Sequence, residues 1–141
     1  GGGSAIFLNN RMDKAFQAAG IDMVTRGLVA INPGPSDAGL LSTPPEIPSL
    51  VAIAEYEDIV PFDADRRGYR DAAGPAWEAV VTGSYHGSYL DDPSKNVLGS
   101  LVLSFGEYVL DGTERAKAVY EGANYSLATD SELKDVQRKG V

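Results

Sequence analysis

The sequence predicts a β-rich α+β domain: five to six mostly antiparallel strands in a sheet or small barrel, a short helix near each terminus, and two long loops or arms. Three observations predict it. Residues 49–56 (SLVAIAEY) and 76–90 (AWEAVVTGSYHGSYL) are rich in β-branched and aromatic residues and alternate with a strand period. Asp111-Gly112 is the strongest short hairpin signal in the chain. The stretch 32–49 (NPGPSDAGLLSTPPEIPS) holds five of the eight prolines, a density of missing N–H groups and fixed φ angles that leaves no regular element standing. A length of 141 residues suits one domain. The expected division is an N-terminal arm or linker over 1–9 and a single domain over 10–141, with a proline-rich arm at 32–48.

Gly1–Ser4 has the composition of a flexible spacer, or of a native start held by a neighbour. Met12, Phe16 and Ala19 share a helical face, so a helix is expected over 10–19, with Asn9 or Asn10 at its N-cap and Gly20 as its stop. Ile21, Met23, Leu28 and Ala30 suggest a strand over 21–31 with a bulge at Gly27. In the arm that follows, Leu40, Leu41 and Ile47 would be apolar residues on an exposed loop, which marks them as partner-binding candidates. Residues 49–56 are apolar on both faces and so should be central. Residues 57–75 read as a second loop, acidic first, then basic at Arg66, Arg67 and Arg70. The long strand 76–90 places Trp77, Tyr85 and Tyr89 on one face and Glu78 and His86 on the other. Residues 97–110 fit a helix through Val97, Leu101, Phe105 and Tyr108, and a strand through Leu101, Leu103, Phe105 and Val109. Their glycines, small residues and the Asp-Gly that follows favour a strand, returning over 113–120. A short helix capped by Thr129 or Asp130 would then close the chain before Gly140.

Composition excludes several functions. Twenty Asp and Glu stand against twelve Lys and Arg, an excess of eight negative charges. That balance disfavours nucleic acid and anionic membrane surfaces, and no apolar run is long enough to span a bilayer. With no cysteine and one histidine, thiol catalysis, thiolate zinc and a multi-histidine metal site within one chain are excluded. No phosphate-binding glycine loop or dinucleotide fingerprint is present, so no cofactor is expected.

Candidate chemistry centres on His86 and on carboxylates. Ser84 and His86 could support acyl transfer with Glu78 as orienting acid. Residues two apart on a strand stand about 7 Å apart, too far for a direct hydrogen bond. No G-x-S-x-G elbow is present, and His86 is therefore expected at a surface or interface. Glu55, Glu57, Asp58, Asp63 and Asp65 suggest a calcium loop, with Asp63, Asp65 and Gly68 at the first, third and sixth positions of an EF-hand. Arg67 at the fifth position and Gly74 at the last break that match, so ion pairs with Arg66, Arg67 and Arg70 are expected instead. Glu55, Glu57 or Glu78 could serve a glycosidase. Trp77, Tyr85 and Tyr89 form either a sugar-stacking platform or core filling.

The resulting expectation is a non-enzymatic structural subunit of a larger repeating particle: a capsid decoration, head–tail connector or tail protein of a virion, or an extracellular filament subunit. Its partners would be copies of itself or other structural proteins. A virion or extracellular setting is favoured and a cytoplasmic one is compatible. The alternatives are a ligand- or carbohydrate-binding β domain using Trp77, Tyr85 and Tyr89, and a carboxylate-based hydrolase.

Overall fold

In a computed structural model, which describes residues 2–34, 42–90 and 96–141, four strands pair in sequence order: β1 (Leu28–Ile31), β2 (Ser49–Tyr56), β3 (Ala76–Tyr85) and β4 (Leu133–Lys139). β2 runs parallel to both β1 and β3, and β4 returns antiparallel to β3. The helices in chain order are α1 (Gly2–Leu8), α2 (Met12–Ala18), α3 (Phe62–Asp65), α4 (Arg67–Arg70), α5 (Val97–Leu110) and α6 (Glu114–Tyr120).

The open mixed sheet corrects the expected five or six antiparallel strands or barrel. Parallel neighbours need a long crossover, whereas antiparallel ones need only a tight turn. The stretches 32–48 and 57–75 connect parallel strands, so their length follows from the topology. The second carries α3 and α4 across one face of the sheet. Leu40 and Leu41 lie outside the described residues.

A sheet with parallel strands at its centre is buried on both faces, which explains the continuous apolar run of β2. On one face Leu50, Ala52, Trp77, Ala79 and Val81 pack against Leu98, Leu101 and Phe105 of α5 and Tyr120 of α6. Trp77 is fully enclosed, edge-on to the rings of Phe105, Tyr108 and Tyr120, and its Nε1–H donates to the Tyr120 carbonyl at 2.9 Å. On the other face Ala30, Val51, Ile53 and Val80 meet Ile6, Phe62 and Tyr69. Burial of each large aliphatic side chain stabilises the fold by about 1.5–3 kcal/mol.

Further expectations are corrected. The strand expected over 21–31 is confined to Leu28–Ile31. Residues 97–110 are helical: the Asn96 side chain caps the start by accepting from the Leu98 N–H at 2.9 Å, and Leu98, Leu101 and Phe105 form the buried stripe. Asp111-Gly112 is a helix end and not a hairpin turn. Gly112 takes φ +58 and its N–H returns to the Glu107 carbonyl, a left-handed stop that glycine adopts without a Cβ clash. Thr113 then caps α6 through the Ala116 N–H, so 113–120 is helix as well. The C-terminal element expected as a helix is β4, which shields the outer side of β3. Among the described residues no helix is long and apolar enough to cross a membrane.

Candidate functional site

Parallel pairing sends the C-terminal ends of β1, β2 and β3 to one edge of the sheet, where open sheets of this kind place their chemistry. The register at this edge pairs Tyr56 with Tyr85. The next residue along β2 is Glu57 and the next along β3 is His86, so the ladder itself brings these two side chains together.

His86 Nδ1 stands 2.8 Å from both carboxylate oxygens of Glu57. The Glu57 side chain is only 1% exposed, while His86 keeps 25% of its surface open. Glu57 Oε1 also accepts the backbone N–H groups of Ile59 at 2.8 Å and Val60 at 3.0 Å. Burial raises the pKa of this carboxyl. The two amides and His86 outweigh burial and hold it below its ordinary value. Glu57 is thus an ionised carboxylate fixed by its own loop. It selects the tautomer with a proton on Nδ1 and stabilises an imidazolium.

The His86 loop is pinned on several sides. Ser88 Oγ accepts the Tyr85 N–H at 2.8 Å, and Asn96 Nδ2 donates to the Ser88 carbonyl at 3.2 Å. Glu55 accepts the Gly83 N–H at 2.7 Å and forms an ion pair with Lys134 of β4. Exposed apolar side chains follow the same strand ends: Tyr56, Ile59, Tyr85 and Leu90 are each more than half open to solvent. Tyr56 and Tyr85 stack with their ring centroids 5.3 Å apart.

The structure sorts the sequence candidates. Trp77 lies in the core, and of the expected aromatic platform Tyr85 alone is seen at the surface; the Tyr89 side chain falls outside what is described. Arg66, Arg67 and Arg70 do form ion pairs, but with acids other than those at 55–65. Both Nε and Nη2 of Arg66 reach Oε1 of buried Glu78, at 2.7 and 2.6 Å, and Arg67 and Arg70 share Asp71 at 3.6 and 2.9 Å. Ile47 is half-buried. Asp63 and Asp65 do not make a calcium loop. Asp65 is fully buried, its Oδ1 accepts the Gly34 N–H at 3.0 Å, and burial pushes its carboxyl up to about 6. Among the described residues no group of three or more His, Asp or Glu is placed to hold a metal ion.

Ser84 is buried and donates to the Val81 carbonyl at 2.6 Å, so its hydroxyl is engaged away from the imidazole. The acid that orients His86 is Glu57 and not Glu78. A search for partners along one strand misses this pair, which spans 29 positions. The signal for it is a carboxylate and a histidine each directly following a strand, with a crossover-length segment between. No protein-family model matches the chain, and no curated protein matches it either.

Proposed function

We propose that the chain carries the acid–histidine pair of an acyl-transfer hydrolase acting on an ester or related carbonyl substrate with apolar groups. The observation that carries this reading is the Nδ1 bond of His86 to buried, ionised Glu57 at the C-terminal ends of adjacent parallel strands. Nδ1 is the nitrogen that faces the carboxylate in hydrolytic triads, which leaves Nε2 for a nucleophile. The order of carboxylate then histidine, each on the loop after its strand, is shared with α/β-hydrolases. The nucleophile that Nε2 activates in this reading is water, since the Ser84 hydroxyl is engaged with the Val81 carbonyl. Tyr56, Ile59, Tyr85 and Leu90 supply apolar surface for the substrate.

His86 Nε2 takes a proton from the water as the water oxygen bonds to the acyl carbon. The same proton then goes to the leaving oxygen as the old C–O bond breaks. Glu57 stays ionised throughout. The protein should hydrolyse short p-nitrophenyl esters. His86→Ala should abolish turnover; hydrolysis that survives it would overturn the reading.

A second reading, the assembly subunit expected from the sequence, draws support from β1, which among the described residues pairs only with β2. Its test is the solution mass as a function of concentration. Concentration-dependent growth without ester hydrolysis would favour it.

A further inference from the structure

We infer that the turn after β1, Asn32-Pro33-Gly34, positions the His86–Glu57 pair, with Asn32 as the positioning residue for His86. The inference rests on the hydrolase reading. Asn32 is 7% exposed and holds a φ of +42, a left-handed backbone that an L-residue adopts only when its surroundings require it. In that conformation its backbone N–H donates to the Ala52 carbonyl at 2.9 Å. Its side-chain Oδ1 accepts the Ala54 N–H at 2.8 Å, and its Nδ2 donates to the His86 carbonyl at 3.1 Å. One residue at the end of β1 thereby grips β2 and the backbone of the general base.

The side-chain type follows from these partners. A planar amide offers an acceptor to one backbone amide and a donor to one backbone carbonyl at the same time. Aspartate would meet Ala54 equally well but would turn a charged oxygen toward the His86 carbonyl. Asparagine is also among the residues that tolerate positive φ best.

The other end of the turn braces the acid. Gly34 donates its N–H to Asp65, and a Cβ at this position would lie 2.9 Å from Cγ2 of Val60. Val60 is the residue whose own N–H holds Glu57. The turn therefore backs both arms of the dyad. A general base misplaced by about 1 Å can lose about a hundredfold in rate.

The test sets the protein beside its Asn32→Asp, Asn32→Gly and His86→Ala variants. Asn32→Asp keeps the Ala54 bond and loses the His86 bond. Asn32→Gly loses both but relieves the backbone. With melting temperatures near that of the parent, kcat should fall at least tenfold in both Asn32 variants while KM stays within twofold. The Nδ1–H proton of His86 should also lose its protection from solvent exchange in proton NMR. If both variants keep kcat within twofold while His86→Ala abolishes turnover, the positioning role is wrong and the hydrolase reading stands. If His86→Ala leaves turnover intact, the hydrolase reading fails. In that case the NMR signal decides on its own: a proton equally protected in both variants overturns the positioning role.

Discussion

Glu57, just past β2, and Glu78, within the neighbouring β3, both have buried side chains and both face a cationic or protonatable partner, yet they are opposite cases. Glu57 follows the end of β2, where the ladder has stopped and free loop amides can turn onto its carboxylate. Glu78 sits within β3, where the backbone amides are already spent on the ladders to β2 and β4. It has Arg66 alone, forked onto a single oxygen, and Oε2 finds no partner among the described residues. Burial accordingly pushes the Glu78 carboxyl above its ordinary value despite the guanidinium, while Glu57 is held below its own. A strand end can provide for a charge that a strand interior leaves strained. The charge available for chemistry is the one at the edge.

The comparison breaks most visibly in turnover. Glu57→Gln should lower kcat on the order of 10⁴-fold, as loss of a triad carboxylate does, whereas Glu78→Gln should leave ester hydrolysis by the folded enzyme within about threefold of the parent. Equal losses would mean that the two glutamates are not different in kind. In stability the ranking reverses. Arg66→Ala strands the Glu78 charge and should cost about 3–5 kcal/mol in urea unfolding, while the paired change Arg66→Met with Glu78→Leu should be near neutral.

Asp65 lies between the two cases, with one oxygen on a backbone amide and the other without a partner among the described residues. Its folded carboxyl is raised from 3.8 to about 6, so the native state binds this proton more tightly than the unfolded chain does. Its contribution is complete below pH 3.8 and is lost as pH rises through about 6. The change amounts to about 3 kcal/mol at most, by the linkage of pKa to free energy. Asp65→Asn should remove that slope when unfolding curves of the two proteins are subtracted across this window. The smallest effect belongs to the Tyr56–Tyr85 stack. A double-mutant cycle to Leu should give a coupling of about 0.5 kcal/mol in urea unfolding, the lower end for aromatic pairs because both rings are exposed.

Residues 49–56 could be read almost to the residue, because a central strand must be apolar on both faces. The helix at Met12–Ala18 was legible from Met12 and Phe16, although its N-cap is Arg11 and not the expected Asn9 or Asn10. The second half of the chain was not. Leu98, Leu101 and Phe105 share a helix face, but Leu101, Leu103 and Phe105 alternate just as well, and an Asp-Gly pair can end a helix as readily as it turns a hairpin. Only the tertiary partner decides: Trp77 on the sheet provides the surface that the helical stripe covers, while Leu103 remains 72% exposed. For the site, both members of the dyad stood out as residue types, and neither showed its partner. Their meeting depends on the parallel register of β2 and β3, a long-range property that a pattern along one strand does not contain.

The outer side of Leu28–Ile31 has a consequence for handling the protein. Among the described residues no strand pairs with that side, and its four consecutive apolar residues include no lysine or proline to discourage a visiting backbone. The protein is expected to self-associate through that margin as concentration rises, and a lysine in place of Val29 should keep it in solution longer.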